Sequence, residues 1–250
     1  MTALDDGARR ADVPAKPQSA ELHPGPGFRI RTEAARPERA VLEGFSGFST
    51  ALISDLMNRL YTMCSDIHAV TDDRLRVIGP ACTVKVFPGD NLMVHKSLDI
   101  ARPGDVVVVD ASSSTVNAVL GDLIATKARH RGIAGFIVDG LVRDVDAVRA
   151  LGDFPVFARG ISPIGPLHRG PGEVNYPVSV GGIVVQPGDI VIGDTDGVVV
   201  VPRDAATELL GRVRSHAAGE ADYVRAVAQG RFSNAWVDAV LASGGLPPEI

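Results

Sequence analysis

The residues of this chain best suited to chemistry are an acid, Asp122, and an Arg143-Asp144 pair that follows it after twenty intervening residues. The carboxylate of Asp144 is a hard oxygen ligand, which suits Mg²⁺ or Mn²⁺ better than a soft metal. The guanidinium of Arg143 is a planar fork that can hold a carboxylate or an enolate oxygen. Gly121 would let a ligand carboxylate approach backbone N–H groups at a helix start. Together these residue types favour a site for a small anion.

Each of these residues also has an ordinary structural interpretation. Asp144 could only cap the helix that follows it, and Arg143 could only pair with a surface acid. Asp122 could complement a helix dipole from the first turn. Taken singly, these roles are the more common ones. Their shared position at one sheet edge is what favours a functional site.

The elements that must position these residues are two aliphatic strands and the helix between them. The continuous aliphatic runs 106–109 and 133–138 are typical of strands covered on both faces. The pattern of 120–130 predicts a helix, which Gly132 ends. Strand, helix and strand at this spacing form a βαβ unit with a right-handed crossover. Residues 121–124 and 143–144 therefore lie beyond the carboxyl ends of parallel strands, where open α/β sheets bind ligands.

The rest of the chain divides into a long extension, a core and a tail. Residues 1–38 predict a disordered N-terminal extension, 39–203 a core domain, and 204–250 a helical C-terminal tail broken near Gly219 and Gly230. Within the core, further elements are predicted from periodicity and turn residues. They are a helix capped by Ser49 and running to Leu60, a helix at 145–151, and strands at 156–158, 178–180, 183–185, 190–192 and 198–201.

Composition excludes several classes of function. A net charge of −5 argues against a nucleic-acid partner, which needs a basic face. No run approaches the ~20 apolar residues of a membrane span, and no secretory signal is recognisable, so a cytoplasmic protein without a membrane partner is expected. Phosphate-loop, dinucleotide, zinc-protease and serine-hydrolase motifs are missing from the sequence. Cys64 and Cys82 are expected to be free thiols.

The chemical residues and their surroundings resemble one known family. Asp122, twenty residues and Arg143-Asp144 resemble the D-x20-R-D signature of class II pyruvate aldolases acting on 4-hydroxy-4-methyl-2-oxoglutarate and 4-carboxy-4-hydroxy-2-oxoadipate. The segments GDLIAT (121–126), RGIAG (131–135) and VDGLVRD (138–144) agree with the family pattern, as does 184–202. The resemblance extends over roughly residues 46–203.

That resemblance implies an α/β fold, a swivelling β/β/α domain with mixed sheets, a central βαβ unit and a helical C-terminal tail. It implies a homotrimer or a dimer of trimers with the active site at a subunit boundary. It further implies that the backbone of Gly121, Asp122, Leu123 and Ile124 holds a pyruvyl group together with Arg143. Asp144 would be the ligand of Mg²⁺ or Mn²⁺, and Asp122 would position a water of the ion's shell. Asp122 and Arg143 are thus the expected catalytic residues.

The implied activity is a divalent-metal-dependent lyase. It would cleave a 4-hydroxy-2-oxo acid to pyruvate and a second oxo acid, with an oxaloacetate decarboxylase side activity. The same family includes the regulator of ribonuclease activity A, so a non-catalytic protein-binding regulator is one alternative. An enzyme on a different 2-oxo or hydroxy acid is another.

Four further residues are weaker candidates. Glu220 is an acid that could reach a neighbouring subunit's site. His168, Arg169 and Asn175 lie in a Gly/Pro-rich segment, for which an ordinary polar loop is the more common interpretation.

Overall fold

A computed structural model describes residues 21–72 and 74–245. The strands, in chain order, are β1 (Phe28–Ile30), β2 (His68–Ala69), β3 (Val77–Val86), β4 (Val106–Asp110), β5 (Ala118–Leu120), β6 (Gly135–Val142), β7 (Val156–Ile161), β8 (Gly172–Val174), β9 (Val178–Val180), β10 (Ile183–Val185), β11 (Ile190–Asp194) and β12 (Gly197–Val201). The helices are α1 (Arg39–Gly44), α2 (Thr50–Leu56), α3 (Leu92–Ser97), α4 (Asp122–His130), α5 (Val145–Arg149), α6 (Ala206–Ala228) and α7 (Ala235–Ser243).

The predicted βαβ unit forms the centre of the molecule. β4 pairs in parallel with β6 from Val106↔Gly135 to Asp110↔Asp139, and α4 lies between them in sequence. The main sheet has the order β1-β8-β3-β4-β6-β7-β2, with β5 paired to the end of β6. Every residue of β4 and β6 is buried, as the continuous aliphatic runs predict.

The long strand β3 connects this sheet to a second β layer. Its first part pairs antiparallel with β11, whereas its later residues pair with β4 and β8. β11 and β12 form a hairpin, as do β9 and β10. The four short strands predicted at 178–201 are therefore confirmed.

Three apolar clusters fill the spaces between these layers. Val107 and Val109 of β4 face α3, α4 and α5, whereas Val106 and Val108 face the second β layer. This division follows from the period of two along a strand. A third cluster lies between the β11–β12 hairpin and the helices α1, α2 and α6. The mixed α/β architecture of two β layers covered by helices is the predicted fold class.

The predicted disorder of residues 1–38 is wrong for part of that segment. Residues 1–20 lie outside the described residues. Phe28–Ile30, however, form β1 and pair in parallel with β8. Arg29 Nε donates to Glu173 Oε1 at 2.6 Å, and Arg36 Nη2 donates to buried Asp105 at 2.6 Å. Residues 28–36 are thus held against the core by backbone pairing and ion pairs. Such interactions require no hydrophobic periodicity, so the sequence does not reveal them.

Several predicted element boundaries also differ from the structure; for example, β7 runs past 158 to Ile161 and α5 ends at Arg149. Ser49 does cap α2 by accepting from Leu52 N, but the helix ends at Leu56, because Asn58 and Arg59 take positive φ angles of 55° and 63°. β6 continues past 138 to Val142. α6 runs unbroken through Gly219, since one interior glycine costs a helix only about 1 kcal/mol.

The predicted separation of core and tail at 203/204 does not hold either. The helical character of 204–245 is confirmed, with a break at Gly230, which has a φ of +70°. The first turns of α6 nevertheless belong to the third cluster, in which Leu210 is 4 % exposed. Leu210 packs directly on Gly44, where a Cβ atom would collide with it.

We therefore expect Leu210→Ala to lower the free energy of unfolding by about 2–5 kcal/mol, as for other buried leucines. Leu60→Ala is the matched control, because Leu60 is 72 % exposed and should change stability by no more than about 0.5 kcal/mol. Urea unfolding followed by circular dichroism measures both. Equal, small effects would show that α6 is an appendage to the core.

Candidate active site

The structure brings Gly121, Asp122, Arg143 and Asp144 together at one cavity of about 280 Å³. The cavity lies at the carboxyl ends of β5 and β6, which pair in parallel, and the N–H of Arg143 donates to the carbonyl of Leu120 at 3.0 Å. The residues lining it are Asn91, His95, Leu120, Gly121, Asp122, Leu123, Ile124, Arg143, Asp144, Gly165, Pro166 and His168.

Gly121 lies against the Arg143-Asp144 pair with no room for a side chain. It is the N-cap residue of α4, in an extended conformation. A Cβ atom on it would collide with Oδ2 of Asp144 and lie 3.0 Å from Cγ of Arg143. Glycine is thus required here by the close approach of two site side chains.

Two glycines lie against the side chain of Arg143. Besides Gly121, Gly165 is close to it: a Cβ atom on Gly165 would lie 2.6 Å from Nη1 of Arg143. Nε of Arg143 lies 3.1 Å from Oδ2 of Asp144, and both side chains are 41 % exposed. Arg143 is therefore positioned by packing while part of its fork remains accessible from the cavity.

Asp144 holds an uncommon backbone conformation, with φ 53° and ψ 35°. Non-glycine residues rarely adopt this left-handed region, although Asp and Asn are enriched there. Asp144 occupies the N-cap position of α5, yet its side chain makes no capping hydrogen bond. The interpretation of Asp144 as a helix cap alone is therefore wrong, and its carboxylate lines the cavity.

Asp122 is the first residue of α4, and its Oδ1 accepts from the N–H of Leu123 at 2.7 Å. This is the dipole-complementing position of the structural interpretation. It also occupies the N–H of Leu123, one of the predicted substrate-binding groups. The first turn of a helix leaves its other N–H groups without intrahelical partners, so those of Asp122 and Ile124 remain for an anion.

The cavity lining also contains the polar side chains of Asn91, His95 and His168. Asn91 is 2 % exposed, and its Nδ2 donates to the carbonyl of Val119 at 2.9 Å. Nδ1 of His168 lies 2.6 Å from Oδ1 of Asn91. The His95 and His168 rings meet edge to face with centroids 5.7 Å apart. Burial lowers the pKa of His95, and the nearby Lys127 and His168 lower it further.

Of the weaker candidates, only His168 reaches the cavity. Arg169 donates its backbone N–H to Asp90 at 2.6 Å. Asn175 is buried and donates to the carbonyl of Arg31 at 3.0 Å. Glu220 pairs with His216 at 3.2 Å on the part of α6 that extends away from the core. Asn91 and His95 were not predicted, since they carry no motif or spacing.

A larger cavity of about 690 Å³ lies elsewhere on the molecule. It is bordered by Arg31, Asn175, Asp189 and Arg203, among others. Burial raises the pKa of Asp189, whose carboxylate accepts backbone N–H groups of Gln186 and Arg203. Asp189 is thus used in fixing a turn. The smaller cavity is the better candidate because it combines accessible carboxylates, an accessible guanidinium and a helix N-terminus.

The donor set of the smaller cavity fits a hard, well-hydrated ion. Among the residues described, no cluster of three or more His, Cys, Asp or Glu side chains could enclose a metal. The cavity offers two carboxylates, Asp122 and Asp144. Zinc sites normally need three or four protein ligands, whereas Mg²⁺ keeps several waters and uses one or two carboxylates plus the substrate. The residues therefore fit Mg²⁺ or Mn²⁺.

No helix within 21–72 or 74–245 combines the length and apolarity needed to cross a membrane.

Comparison with known proteins places the chain in one family. The family model described as "RraA-like: Aldolase/RraA" matches residues 50–200. A protein of Halalkalibacterium halodurans named "Putative 4-hydroxy-4-methyl-2-oxoglutarate aldolase" is 39 % identical over 183 residues, covering 73 % of this chain and 86 % of that protein.

Solved structures agree with this placement. Streptomyces coelicolor RraAS2, described as an unusual member of the RNase ES inhibitor RraA protein family, superposes with a TM-score of 0.69 at 30 % identity, covering 77 % of this chain and 99 % of that one. An uncharacterized protein from Pseudomonas syringae pv. tomato superposes with the same TM-score at 29 % identity, covering 79 % and 96 %. The chain therefore belongs to the RraA-like family of aldolases and RraA proteins.

Proposed function

We propose that this protein is a divalent-metal-dependent lyase that cleaves a 4-hydroxy-2-oxo acid of the 4-hydroxy-4-methyl-2-oxoglutarate type to pyruvate and a second oxo acid. The observation that carries the proposal is the arrangement of Arg143 and Asp144 against Gly121, at the N-terminus of α4. A guanidinium, a carboxylate and free helix N–H groups share one cavity there. This combination suits the pyruvyl end of such a substrate.

The chain's own groups would bind the substrate carboxylate first. The N–H groups of Asp122 and Ile124 carry the positive end of the α4 dipole, which favours an anion. Arg143 adds a charged donor on the β6 side of the same cavity. Substrate would compete with the carboxylate of Asp122 for the N–H of Leu123.

Asp144 would hold the metal ion, and Asp122 would position water beside it. When bound, the ion supplies Lewis acidity toward the substrate's 2-keto and carboxylate oxygens. Arg143 would also stabilise this charge, because it can donate hydrogen bonds to the oxygen that becomes negative as pyruvate enolate forms.

Bond cleavage also needs a base. Loss of the C4 hydroxyl proton lets the C4–O bond become a carbonyl while the C3–C4 electron pair moves into the enolate. The candidates for proton acceptor are water positioned by Asp122 and a histidine side chain of the cavity lining. Oxaloacetate loses CO₂ through the same enolate without this proton transfer, so decarboxylase activity is part of the proposal.

We propose that the protein works as a homotrimer or a dimer of trimers. α6 buries residues only in its first two turns, and α7 buries none. The remainder exposes large apolar side chains, namely Tyr223, Val224, Val227, Phe232, Trp236 and Val240. A patch of this kind on a helix that extends from the core is typical of a subunit interface.

A second candidate function is a protein-binding regulator without catalysis. It is supported by the likeness to the Streptomyces coelicolor protein, whose family is described as an inhibitor of RNase ES. An enzyme on a different 2-oxo or hydroxy acid is the third. Turnover of oxaloacetate with Mg²⁺, followed as pyruvate with a coupled dehydrogenase, separates the first candidate from the second.

We expect Asp144→Asn to weaken Mg²⁺ or Mn²⁺ binding by at least about tenfold, since even groups that only support a metal ligand cost 10–100-fold when lost. The fold should survive, because Asn tolerates the left-handed backbone of this position. Isothermal titration calorimetry measures the affinity. Asp146→Asn is the control, since Asp146 is fully exposed two residues away. Equal affinities in both variants would remove Asp144 from the metal site.

We expect Arg143→Lys to lower kcat by about 10²–10³, the usual cost of losing one preorganised donor to a developing oxyanion. Lysine keeps the charge but cannot reproduce the planar fork, and the loss should fall on kcat more than on KM. Steady-state kinetics on oxaloacetate and on 4-hydroxy-4-methyl-2-oxoglutarate measure both. Arg149→Lys, at an exposed ion pair with Asp146, is the control. A kcat within about threefold of wild type would contradict the role of Arg143.

We expect sedimentation at micromolar concentration to find three or six copies of the chain. Trp236→Ala should shift the population toward smaller species, because a large aromatic that becomes buried on association typically contributes about 2 kcal/mol or more to it. A wild-type protein that sediments only as a monomer would contradict the proposed assembly.

A further inference from the structure

The part of the cavity lining that contains His168 is held in place by backbone hydrogen bonds. It is formed by the segment 162–169 and by the residues that begin α3. Ala118 N donates to Ile164 O at 2.8 Å, and Asn91 N donates to Leu167 O at 3.0 Å. Leu167 N in turn donates to Gly89 O at 2.7 Å. Backbone hydrogen bonds thus join this segment to both neighbours, and His168 extends from it into the cavity.

The hydrogen bonds of Asn91 determine which nitrogen of His168 carries the proton. The carbonyl of Val119 can only accept, so the atom of Asn91 that faces it at 2.9 Å must be the amide nitrogen. The amide oxygen of Asn91 therefore faces Nδ1 of His168 at 2.6 Å and must accept from it. Nδ1 carries the hydrogen, and in the neutral ring Nε2 keeps its lone pair.

Nε2 of His168 is left available for substrate. No described residue is hydrogen-bonded to it, although the ring lines the cavity. The His95 ring meets the His168 ring edge to face, and burial lowers the pKa of His95. A base with a fixed lone pair therefore lines the same small cavity as Arg143 and Asp144.

We propose that Nε2 of His168 is the proton acceptor for the C4 hydroxyl in aldol cleavage and that Asn91 is its positioning residue. This inference rests on the proposed function. Nε2 takes the hydroxyl proton, the C3–C4 bond breaks, C4 becomes the carbonyl of the second oxo acid, and the bonding pair passes into pyruvate enolate. The imidazolium then returns the proton to C3, which completes the methyl group of pyruvate and restores neutral His168.

The two reactions of the proposed enzyme differ in their need for this base. Aldol cleavage requires removal of the hydroxyl proton. Oxaloacetate decarboxylation begins with loss of CO₂, and solvent can protonate the resulting enolate. Loss of a catalytic His168 should therefore slow aldol cleavage much more than decarboxylation, whereas loss of a residue that only supports the fold or binds the pyruvyl end should slow both reactions alike.

The test is His168→Asn, because the shorter amide can still donate to Asn91 while Nε2 is lost. We expect kcat for cleavage of 4-hydroxy-4-methyl-2-oxoglutarate to fall by at least about 10², the lower range for general-base catalysis. The fall in oxaloacetate decarboxylation should be at least about tenfold smaller than the fall in aldol cleavage, because only cleavage needs removal of the hydroxyl proton. His130→Asn, on the exposed end of α4, is the control and should change neither rate.

Two further measurements guard against a variant that is merely misfolded. Imidazole added to His168→Ala should restore aldol cleavage selectively, which a structural role would not allow. Nitrogen NMR of the wild-type protein near neutral pH should find His168 as the Nδ1–H tautomer. This measurement does not depend on knowing the substrate. The Nε2–H tautomer would overturn the assignment of the lone pair.

The kinetic outcomes are distinguishable. Loss of both activities together in His168→Asn, or loss of neither, overturns the role of His168 and leaves water positioned by Asp122 as the base. A wild-type protein that catalyses neither reaction with Mg²⁺ or Mn²⁺ overturns the proposed function, and the role of His168 with it.

Discussion

β5 runs alongside the end of β6, and the N–H of Arg143 donates to the carbonyl of Leu120 across that junction. This pairing joins the two halves of the candidate site. It places the start of α4 beside the Arg143-Asp144 pair, although twenty residues separate Asp122 from Arg143. The buried strands β4 and β6 hold the junction in register, so the geometry of the site follows from the centre of the sheet.

The closeness produced by this pairing explains the glycines of the site. A methyl group at Gly121 would collide with the carboxylate of Asp144, and one at Gly165 would displace the guanidinium of Arg143. Asp144 follows β6, which ends at Val142, and its left-handed backbone accompanies a carboxylate that lies against Gly121. Glycines and a rarely adopted backbone conformation thus occur together where charged side chains approach one another closely.

The residues lining the cavity come from two different parts of the chain. Those of β5, β6 and α4 belong to the βαβ core. The others include His168 of a loop, which is supported by Asn91. Function on a common fold depends on such local groups. Whether this chain acts as a lyase or only binds a partner therefore depends on its charged pair and on these other residues.

The sequence alone determined the βαβ unit, the short strands from 178 to 201 and the proximity of Asp122 to Arg143-Asp144. These features depend on the pattern of aliphatic residues and on the order of neighbouring elements along the chain. Both can be read directly from the sequence. Only the tertiary structure decided that 28–30 form a strand, that α6 begins inside the core, and that Asn91 and His95 face the site. Those features arise from backbone pairing and packing between distant segments, and such contacts leave no periodic pattern in the residues that make them.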